Sequence, residues 1–332
     1  MDDLICIGPK DDVVKNKESF KTHFECDDVG WLEEYVGCKI DINRDERKLK
    51  FTQPVLIQSF TDEFNLPKRK YSTPAEQGQV LSASEEGDLL NPNMQHKYRS
   101  GVGKLIHLMR WSRPEIYNAV RELTMHMGKC NEFHFAAMIR VMKYCADTPN
   151  RGWLISPKRV WDGKDKNFEF ILVGLPDASY ASCKRTRRSV TGIVVLFEGV
   201  VLVAKSGMQK VVCLSTTEAE VIAMVMCVQE MMYIDKVVTS MGLKIKKPMM
   251  VHCDNKGAVD LVNGWAVGGG TKHIDIRLAF LRELKKANVI RVNWIPSGKN
   301  TSDLHTKNLD KTSFEEHARV HVGDDEYFDS SE

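Results

Sequence analysis

Four acidic residues in the second half of the chain have the types and positions of a metal-binding cluster. Asp177 and Asp254 each follow an apolar run typical of a strand, whereas Glu220 and Asp303 lie in the first turns of predicted helices. If the two strands are neighbours, their ends lie side by side, and the two helix starts bring the other acids to the same place. Like charges about 4 Å apart repel by roughly 4 kcal/mol at an effective dielectric constant of ~20, so a cation must offset this cluster.

The predicted ligands are all carboxylates, and this limits the cations that fit. Oxygen ligands without histidine or cysteine favour a hard cation such as Mg²⁺ or Mn²⁺. Two such ions about 3.5–4 Å apart activate a water and stabilise the leaving oxygen when a phosphodiester is hydrolysed. The pattern therefore predicts a divalent-metal site for phosphodiester chemistry.

Each acid also has a purely structural interpretation. Asp177 fits an ordinary turn, and Asp254 and Asp303 fit the N-cap position of a following helix. These alternatives remain open from the residues alone.

The helix that begins at "STTEAE" offers two glutamates. Ser215 and Glu218 have the spacing of a capping box, in which serine is the cap and glutamate stands three residues later. Glu220 lies two residues further on and points about 200° away around the helix. It precedes apolar residues close to the buried side, so Glu220 is the predicted ligand and Glu218 the alternative.

Composition places the chain among globular proteins of about two or three domains. It has 332 residues, 42% hydrophobic and 28% charged, with a net charge of +2 that is too small to identify a polyanionic partner. The nine cysteines are scattered without metal-type spacing, which argues against a disulfide framework and favours a reducing, cytoplasmic location. The longest apolar run, residues 192–204, is too short to cross a bilayer, and the acidic start does not resemble a signal peptide.

Hydrophobic periodicity divides the chain into three parts. In residues 1–66 the pattern predicts strands in "DLICIG" and "EYVGCKIDI", with a helix in "KNKESFKTHF" between them. The stretch "PKRKYSTPAEQGQVLSASEEGDLLNPN" predicts a linker or a long surface loop. Apolar residues then recur at helical spacing in "KYRSGVGKLIHLMRWS", "RPEIYNAVRELTMHMG" and "EFHFAAMIRVMKYCAD", which indicates a small helical bundle.

From about residue 165 the pattern changes to strands followed by alternating helices and strands. Three strands are predicted in "NFEFILVGLPDAS", "GIVVLFEG" and "VVLVAKSG", and two more in "PMMVHCD" and "VIRVNWIP". Helices are predicted in "STTEAE…MGL", "DNKGAVDLVNG", "HIDIRLAFLRELKKA" and "TSDLHTKNLDKTSFEEHARV". This order indicates an α+β or mixed α/β fold, with helices against the faces of one five-stranded sheet.

Six short motifs in this part resemble the ribonuclease H domain of copia-type retrotransposon polyproteins. They are "PDASYA", "TRRSVTG", "LSTTEAE", "CDNKGAV", "KHIDIRLAFLRE" and "SDLHTKNL", and they occur in the family's order over residues 168–323. The resemblance implies a ribonuclease H-like five-stranded mixed sheet and cleavage of RNA paired to DNA. It also implies two Mg²⁺ ions, or Mn²⁺, at Asp177, Glu220, Asp254 and Asp303.

The front half resembles the end of a reverse transcriptase. "MDDLICIG" is similar to the polymerase aspartate hairpin, which makes Asp2 and Asp3 a polymerase remnant. "WLEEYVGCKIDI" and "LKFTQPVLIQSF" resemble palm and thumb, and "YRSGVGKLIHLMRWSRPEIYNAVREL" resembles the connecting helices. The resemblance implies the C-terminal part of a Pol polyprotein: a palm remnant at 1–66, a helical thumb or connection at 67–150, a ribonuclease H domain at 165–323 and a disordered acidic tail at 324–332. The fingers and the first polymerase aspartate are missing, so we expect no polymerase activity.

Expected substrate contacts lie close to the first and third acids. Arg187 and Arg188 belong to the basic stretch "SCKRTRRS", which either contacts phosphates or is a solvated loop. Ser179 and Asn255 are candidates for hydrogen bonds to the 2′-hydroxyls of an RNA–DNA hybrid. The loop "PSGKNTS" has no histidine, so His305 or His273 either assists product release or has only a packing role.

The expected partners are the hybrid and the polymerase and integrase parts of the polyprotein, in the cytoplasm or in virus-like particles and without a membrane. The alternative function is a catalytically inactive retroelement fragment or a hybrid-binding module.

Overall fold

A computed structural model describes residues 4–264 and 275–324. The front part contains three strands of an antiparallel sheet between two helices. Its elements are α1 (Lys10–His23), β1 (Glu34–Tyr35), β2 (Cys38–Asn43), β3 (Lys48–Thr52) and α2 (Pro54–Glu63). The predicted strand in "DLICIG" is wrong, because residues 4–8 have no strand partner and Ile7 is 91% exposed. Asp2 and Asp3 lie outside the described residues.

Three helices follow at the predicted positions. They are α3 (Pro92–Trp111), α4 (Tyr117–Thr124) and α5 (Glu132–Asp147), with a 3-10 turn at Pro114–Ile116. Pro92 and Pro114 stand at helix starts, where the missing N–H needs no partner. The side chain of Asn91 caps α3 and that of Asn131 caps α5.

The stretch before α3 is largely irregular, as predicted, but it does not lie only on the surface. Ala75 and Leu81 are buried in the core that α2, α3, α4 and α5 form. Residues from the far end of the chain enter the same core, namely Leu304, Phe314, Ala318 and Val322. The helical region and the C-terminal segment are therefore packed together.

The remaining elements contain the second large sheet. In chain order they are β4 (Gly152–Ile155), β5 (Glu169–Phe170), β6 (Leu172–Ser179), β7 (Val190–Phe197), β8 (Val200–Met208), α6 (Thr216–Ser240), β9 (Lys244–Ile245), β10 (Met249–Cys253), α7 (Lys256–Asn263), α8 (Asp275–Lys286), β11 (Ile290–Trp294), α9 (Lys311–Ala318) and β12 (Val322–Gly323).

The strands form two five-stranded sheets and one short pair. The first sheet has the order β1-β2-β3-β4-β12, and the second has the order β11-β10-β6-β7-β8, while β5 pairs with β9. In the second sheet β6, β7 and β8 are antiparallel neighbours, whereas β10 runs parallel to both β6 and β11. The predicted five-stranded mixed sheet flanked by helices is confirmed.

Helix α6 packs closely on the central strand of this sheet. A Cβ atom at Gly174 would lie 2.4 Å from the sulfur of Met231 and 2.7 Å from that of Cys227. A side chain at this position would have to displace both sulfurs, so the glycine lets α6 lie close against β6.

The last helix was predicted as continuous, and this prediction is wrong. The segment "TSDLHTKNLDKTSFEEHARV" forms a 3-10 turn at Thr301–His305, then a break, and then α9. Asp310 is the N-cap of α9, because its carboxylate accepts hydrogen bonds from the N–H groups of Thr312 and Ser313.

Within residues 4–264 and 275–324, every helix is too short or too polar to cross a membrane.

Candidate active site

The four predicted acids lie together at one end of the second sheet. One carboxylate oxygen each from Asp177, Asp254 and Asp303 lies within 4.8 Å of the others. Glu220, Cys253 and Asp254 form a second group within the same limit, and Asp254 belongs to both groups. We call the four carboxylates the acidic cluster.

Neighbouring parallel strands explain how the first two acids meet. Asp177 lies near the end of β6 and Asp254 comes directly after β10, and these strands run side by side in the same direction. Their carboxyl ends therefore reach the same edge of the sheet. Asp303 comes from the 3-10 turn at Thr301–His305, and Glu220 comes from α6.

Asp177 is almost completely buried, with 1% of its surface exposed. The hydroxyl of Thr306 donates a hydrogen bond to its Oδ2 atom. Burial raises the pKa of the Asp177 carboxyl to about 7, the charge of Asp303 adds to this rise, and Lys307 and Thr306 oppose it.

Glu220 is 6% exposed and lies next to the same negative charges. Burial raises the pKa of the Glu220 carboxyl to about 9, with further contributions from Asp177 and Asp254. The thiol of Cys253 lies 3.9 Å from its Oε2 atom. Protonation is thus the means by which these buried carboxyls avoid mutual repulsion, and a bound cation would do the same.

Glu218, the alternative ligand, has another partner. Its carboxylate accepts a hydrogen bond of 2.6 Å from the N–H of Leu214, and its own N–H donates to the hydroxyl of Ser215. The structure therefore places Glu220 in the acidic cluster and Glu218 at the start of α6.

Asp254 is held from two directions. The indole N–H of Trp294 donates to the main-chain oxygen of Asp254 at 2.9 Å. The side-chain amide of Asn300 donates to the main-chain oxygen of Pro176 at 2.9 Å and lies 3.4 Å from Asp254 Oδ1. Asn300 is fully buried and accepts a hydrogen bond from the Ser302 hydroxyl, so it links β6, Asp254 and the 3-10 turn.

Lys307 was missed by the sequence reasoning. Its ammonium lies 2.9 Å from Asp303 Oδ1 and 3.8 Å from Asp177 Oδ2. Burial alone would lower the pKa of Lys307, but Asp177 and Asp303 raise it above the usual value. The available signal was the spacing of four residues between Asp303 and Lys307, which is typical of a local ion pair.

The break after the 3-10 turn lets Thr306 and Lys307 reach the cluster. A Cβ atom at Gly192 would lie 2.6 Å from Thr306 Cγ2 and 2.7 Å from the main-chain oxygen of Ser302. The glycine on β7 opposite Asp177 thus gives this segment room to lie against the sheet.

The predicted substrate-contact residues differ in their exposure. Ser179 ends β6 two residues after Asp177 and is half-buried. Asn255 caps α7, since its side chain accepts a hydrogen bond of 2.9 Å from the N–H of Ala258. Arg187 and Arg188 are exposed in the connection between β6 and β7. Contact of these residues with a hybrid remains a prediction.

The histidine near the last acid has a packing role. His305 is fully buried, and its Nε2 atom lies 2.9 Å from Nε2 of His321. Burial lowers the pKa of His305 well below its usual value, and His321 and His317 add to the effect. His273 lies outside the described residues.

The strand order and the acidic cluster define a ribonuclease H-like fold with a candidate hydrolytic site. The Pol polyprotein of transposon TNT 1-94 from Nicotiana tabacum is 30% identical over 324 residues, which is 95% of this chain and 23% of that protein. The Pol polyprotein of transposon RE1 from Arabidopsis thaliana is 28% identical over 320 residues, 96% of this chain and 21% of that protein. The chain belongs to the family of copia-type retrotransposon Pol polyproteins, and it spans less than a quarter of the length of these two relatives.

Further similarities cover parts of the chain. A secreted RxLR effector protein of Plasmopara viticola is 31% identical over 137 residues, 41% of this chain and 90% of that protein. The structure of LC11-RNase H1 in complex with an RNA/DNA hybrid superposes with a TM-score of 0.32 at 17% identity, over 42% of this chain and 98% of that chain. No family model matches the sequence.

Proposed function

We propose that this chain is a metal-dependent ribonuclease H that hydrolyses the RNA strand of RNA–DNA hybrids as part of a retrotransposon polyprotein. The observation that carries the proposal is the acidic cluster, in which four carboxylates from four separate elements meet at the carboxyl end of β6 and β10. Family membership supports the same activity, because the relatives are Pol polyproteins.

The donor set fits a hard divalent cation. All four side chains offer oxygen atoms. Burial and, after it, the neighbouring negative charges raise the pKa values of Asp177 and Glu220, and a bound cation would offset both effects. Asp177, Glu220, Asp254 and Asp303 would hold two Mg²⁺ ions, or Mn²⁺. Such ions, when bound, supply activation of a water and stabilisation of the leaving oxygen.

Residues around the cluster prepare it for this role. Asn300 and Trp294 hold Asp254 in place, so that its carboxylate is oriented before any substrate arrives. Thr306 fixes one oxygen of Asp177. The carboxyl protons of Asp177 and Glu220 must leave when a cation binds.

Substrate recognition would use the residues beside the cluster. Ser179 and Asn255 would hydrogen-bond to 2′-hydroxyls, which distinguish the RNA strand from DNA. The exposed Arg187 and Arg188 would contact phosphates and make binding sensitive to salt. The polymerase and integrase parts of such a polyprotein are the proposed protein partners, and an intracellular location remains a prediction.

The test is cleavage of a labelled RNA–DNA hybrid by the purified chain in Mg²⁺. We expect Asp254→Asn to abolish cleavage, whereas Glu283→Gln, which alters an exposed acid on α8, leaves the rate unchanged. Cleavage by Asp254→Asn at the rate of the unaltered chain would contradict the proposal.

A second function, hybrid binding without catalysis, is favoured by the position of Lys307. Its ammonium already neutralises part of the cluster at Asp303 and Asp177. Calorimetric titration with Mg²⁺ separates the two functions: an active site binds the ion and releases protons, whereas an inactive one gives no heat of binding. In an active nuclease, Lys307→Met should tighten Mg²⁺ binding, because it removes the charge that competes with the ion. In an inactive protein, Lys307→Met should leave the heat of Mg²⁺ binding absent.

A further inference from the structure

A groove of about 500 Å³ lies where the two five-stranded sheets meet. It is lined by β4 from the first sheet, by β6, β7, β8 and β10 from the second, and by the segments around the 3-10 turn and after α9. The indole N–H of Trp153 on β4 donates to the main-chain oxygen of Val201 on β8 at 3.0 Å and fastens the sheets together beside it. The volume is in the range of small-molecule sites.

The floor of the groove is apolar. Val173 and Leu175 lie on β6 at alternate positions before Asp177, so they share the sheet face that carries this acid. Leu196, Ile295 and Val320 complete the apolar floor. The opposite face of β6, at Gly174, is covered by α6.

The rim of the groove is basic. Lys158, Lys299 and Arg319 line it and are exposed, and its described lining includes no aspartate or glutamate. The stem of Lys158 lies over Gly199, since a Cβ atom there would come within 2.8 Å of Lys158 Cγ. The lysine is thus supported along its length with its ammonium at the rim.

Two residues of the lining are polar and lie below the basic rim. They are His252 on β10 and Thr301 in the 3-10 turn. An apolar floor with a few polar and charged groups beside it is typical of small-molecule sites.

We propose that this groove binds a small amphipathic anion, with an apolar chain or ring on the floor and a single oxyanion head group at the basic rim. The apolar part would lie on Val173, Leu175 and Leu196. The head group would meet Lys158, Lys299 and Arg319 at the rim. The inference is independent of the nuclease proposal, because the groove contains none of the four acids of the cluster.

The groove also touches the elements that hold the cluster. His252 stands two residues before Asp254, and Thr301 stands two residues before Asp303. A ligand that contacts both therefore spans the strand and the turn that carry two of the four acids.

Binding is tested with 8-anilinonaphthalene-1-sulfonate, whose fluorescence rises in an apolar site, and with decanoate as a competitor. We expect decanoate to displace the dye at least about tenfold better than decanol or decyltrimethylammonium, which share its chain but not its charge. The double variant Lys158→Gln/Lys299→Gln should weaken dye and decanoate binding about tenfold, while Lys236→Gln on α6, across the sheet, leaves both unchanged.

Nuclear magnetic resonance of histidine-labelled protein locates the ligand. Decanoate should shift the His252 ring signals, which the variant His252→Gln identifies, and leave those of the buried His321 in place. Equal displacement by decanol and decanoate, or unchanged binding in the double lysine variant, would overturn the proposal. Displacement by a single-stranded oligonucleotide at lower concentration than decanoate would also overturn it, because the rim would then be a nucleic-acid surface.

Discussion

Arg113 and Glu115 form a buried ion pair in the helical region, and the acidic cluster lies at the end of the second sheet. Neither side chain of the pair is exposed, their charges meet at 2.6 Å, and the guanidinium also donates to the main-chain and hydroxyl oxygens of Thr148. Burial alone would lower the pKa of Arg113, but Glu115 raises it above the usual value. Arg113 therefore keeps its charge although it is buried.

Within residues 4–264 and 275–324, the acidic cluster has four carboxylates and the ammonium of Lys307 beside them. Asp177 and Glu220 respond with raised pKa values rather than with a partner of opposite charge. Burial of charge is thus common to both regions, and the imbalance of charge distinguishes the candidate site from the structural pair.

Breaking the ion pair should produce the largest loss of stability. Glu115→Gln leaves the Arg113 charge buried without its counter-ion, which costs about 3 kcal/mol of unfolding free energy or more. Urea unfolding followed by circular dichroism measures the change. A loss below about 1 kcal/mol would mean that the pair behaves like a surface salt bridge and does not differ from the acidic cluster in the way described.

Above pH 6.5, the acidic cluster should dominate the change of stability with pH. The raised pKa values of Asp177 (about 7) and Glu220 (about 9) mean that the metal-free folded state keeps protons that the unfolded state releases. Stability is therefore highest below the unfolded pKa values and is lost as pH rises toward about 9, by about 1 kcal/mol per pH unit.

The buried histidines make stability fall as the pH is lowered, and they do so below pH 6.5. Burial lowers the pKa of His126 and of His321 to about 4, so their contribution is complete above pH 6.5 and is lost as pH falls toward 4. Thermal melts at pH 6.5, 8 and 9 isolate the carboxyl effect. Saturating Mg²⁺ should remove the decline, and a decline that persists in Mg²⁺ would argue against the cluster as its origin.

Removing one acid from the cluster should raise the stability of the metal-free protein, whereas breaking the ion pair lowers stability. Asp254→Asn relieves repulsion and should stabilise the metal-free protein by about 1 kcal/mol, while it abolishes stabilisation by Mg²⁺. Melting temperatures with and without Mg²⁺ give both quantities, and Glu283→Gln is the matched control. If Asp254→Asn destabilised the metal-free protein as strongly as Glu115→Gln, the acid would have a structural role.

The smallest effect should come from the exposed arginines. Arg187→Gln/Arg188→Gln should lower hybrid affinity and reduce the slope of log affinity against log salt by about 1 for each arginine. Fluorescence anisotropy with a labelled hybrid measures both, and Lys236→Gln serves as the control. An unchanged slope would show that this stretch is a solvated loop.

Much of the sheet and the positions of the four acids could be predicted from the sequence, because apolar runs and short motifs are local signals. The contacts of Asn300, Thr306 and Lys307 could not, because they depend on a break in the last helix and on a strand more than 120 residues away. Asp310 offered a local sign of that break, since it caps a new helix.

Two further differences have the same physical origin. The apolar run in "DLICIG" has strand propensity, but a strand needs a neighbour, and residues 4–8 have none. Leu304 and Phe314 fit a helix face, yet the sequence does not say that this face packs against α2 to α5. Tertiary partners decided both outcomes.

The most direct test of the acidic cluster is anomalous diffraction from crystals soaked in Mn²⁺. We expect a peak at coordination distance from Asp177 and Asp254, about 2–2.3 Å, with Lys307 displaced from Asp303, and no peak in crystals of Asp254→Asn. Crystals that bind Mn²⁺ elsewhere, with Lys307 still on Asp303 and no density among the four carboxylates, would contradict it.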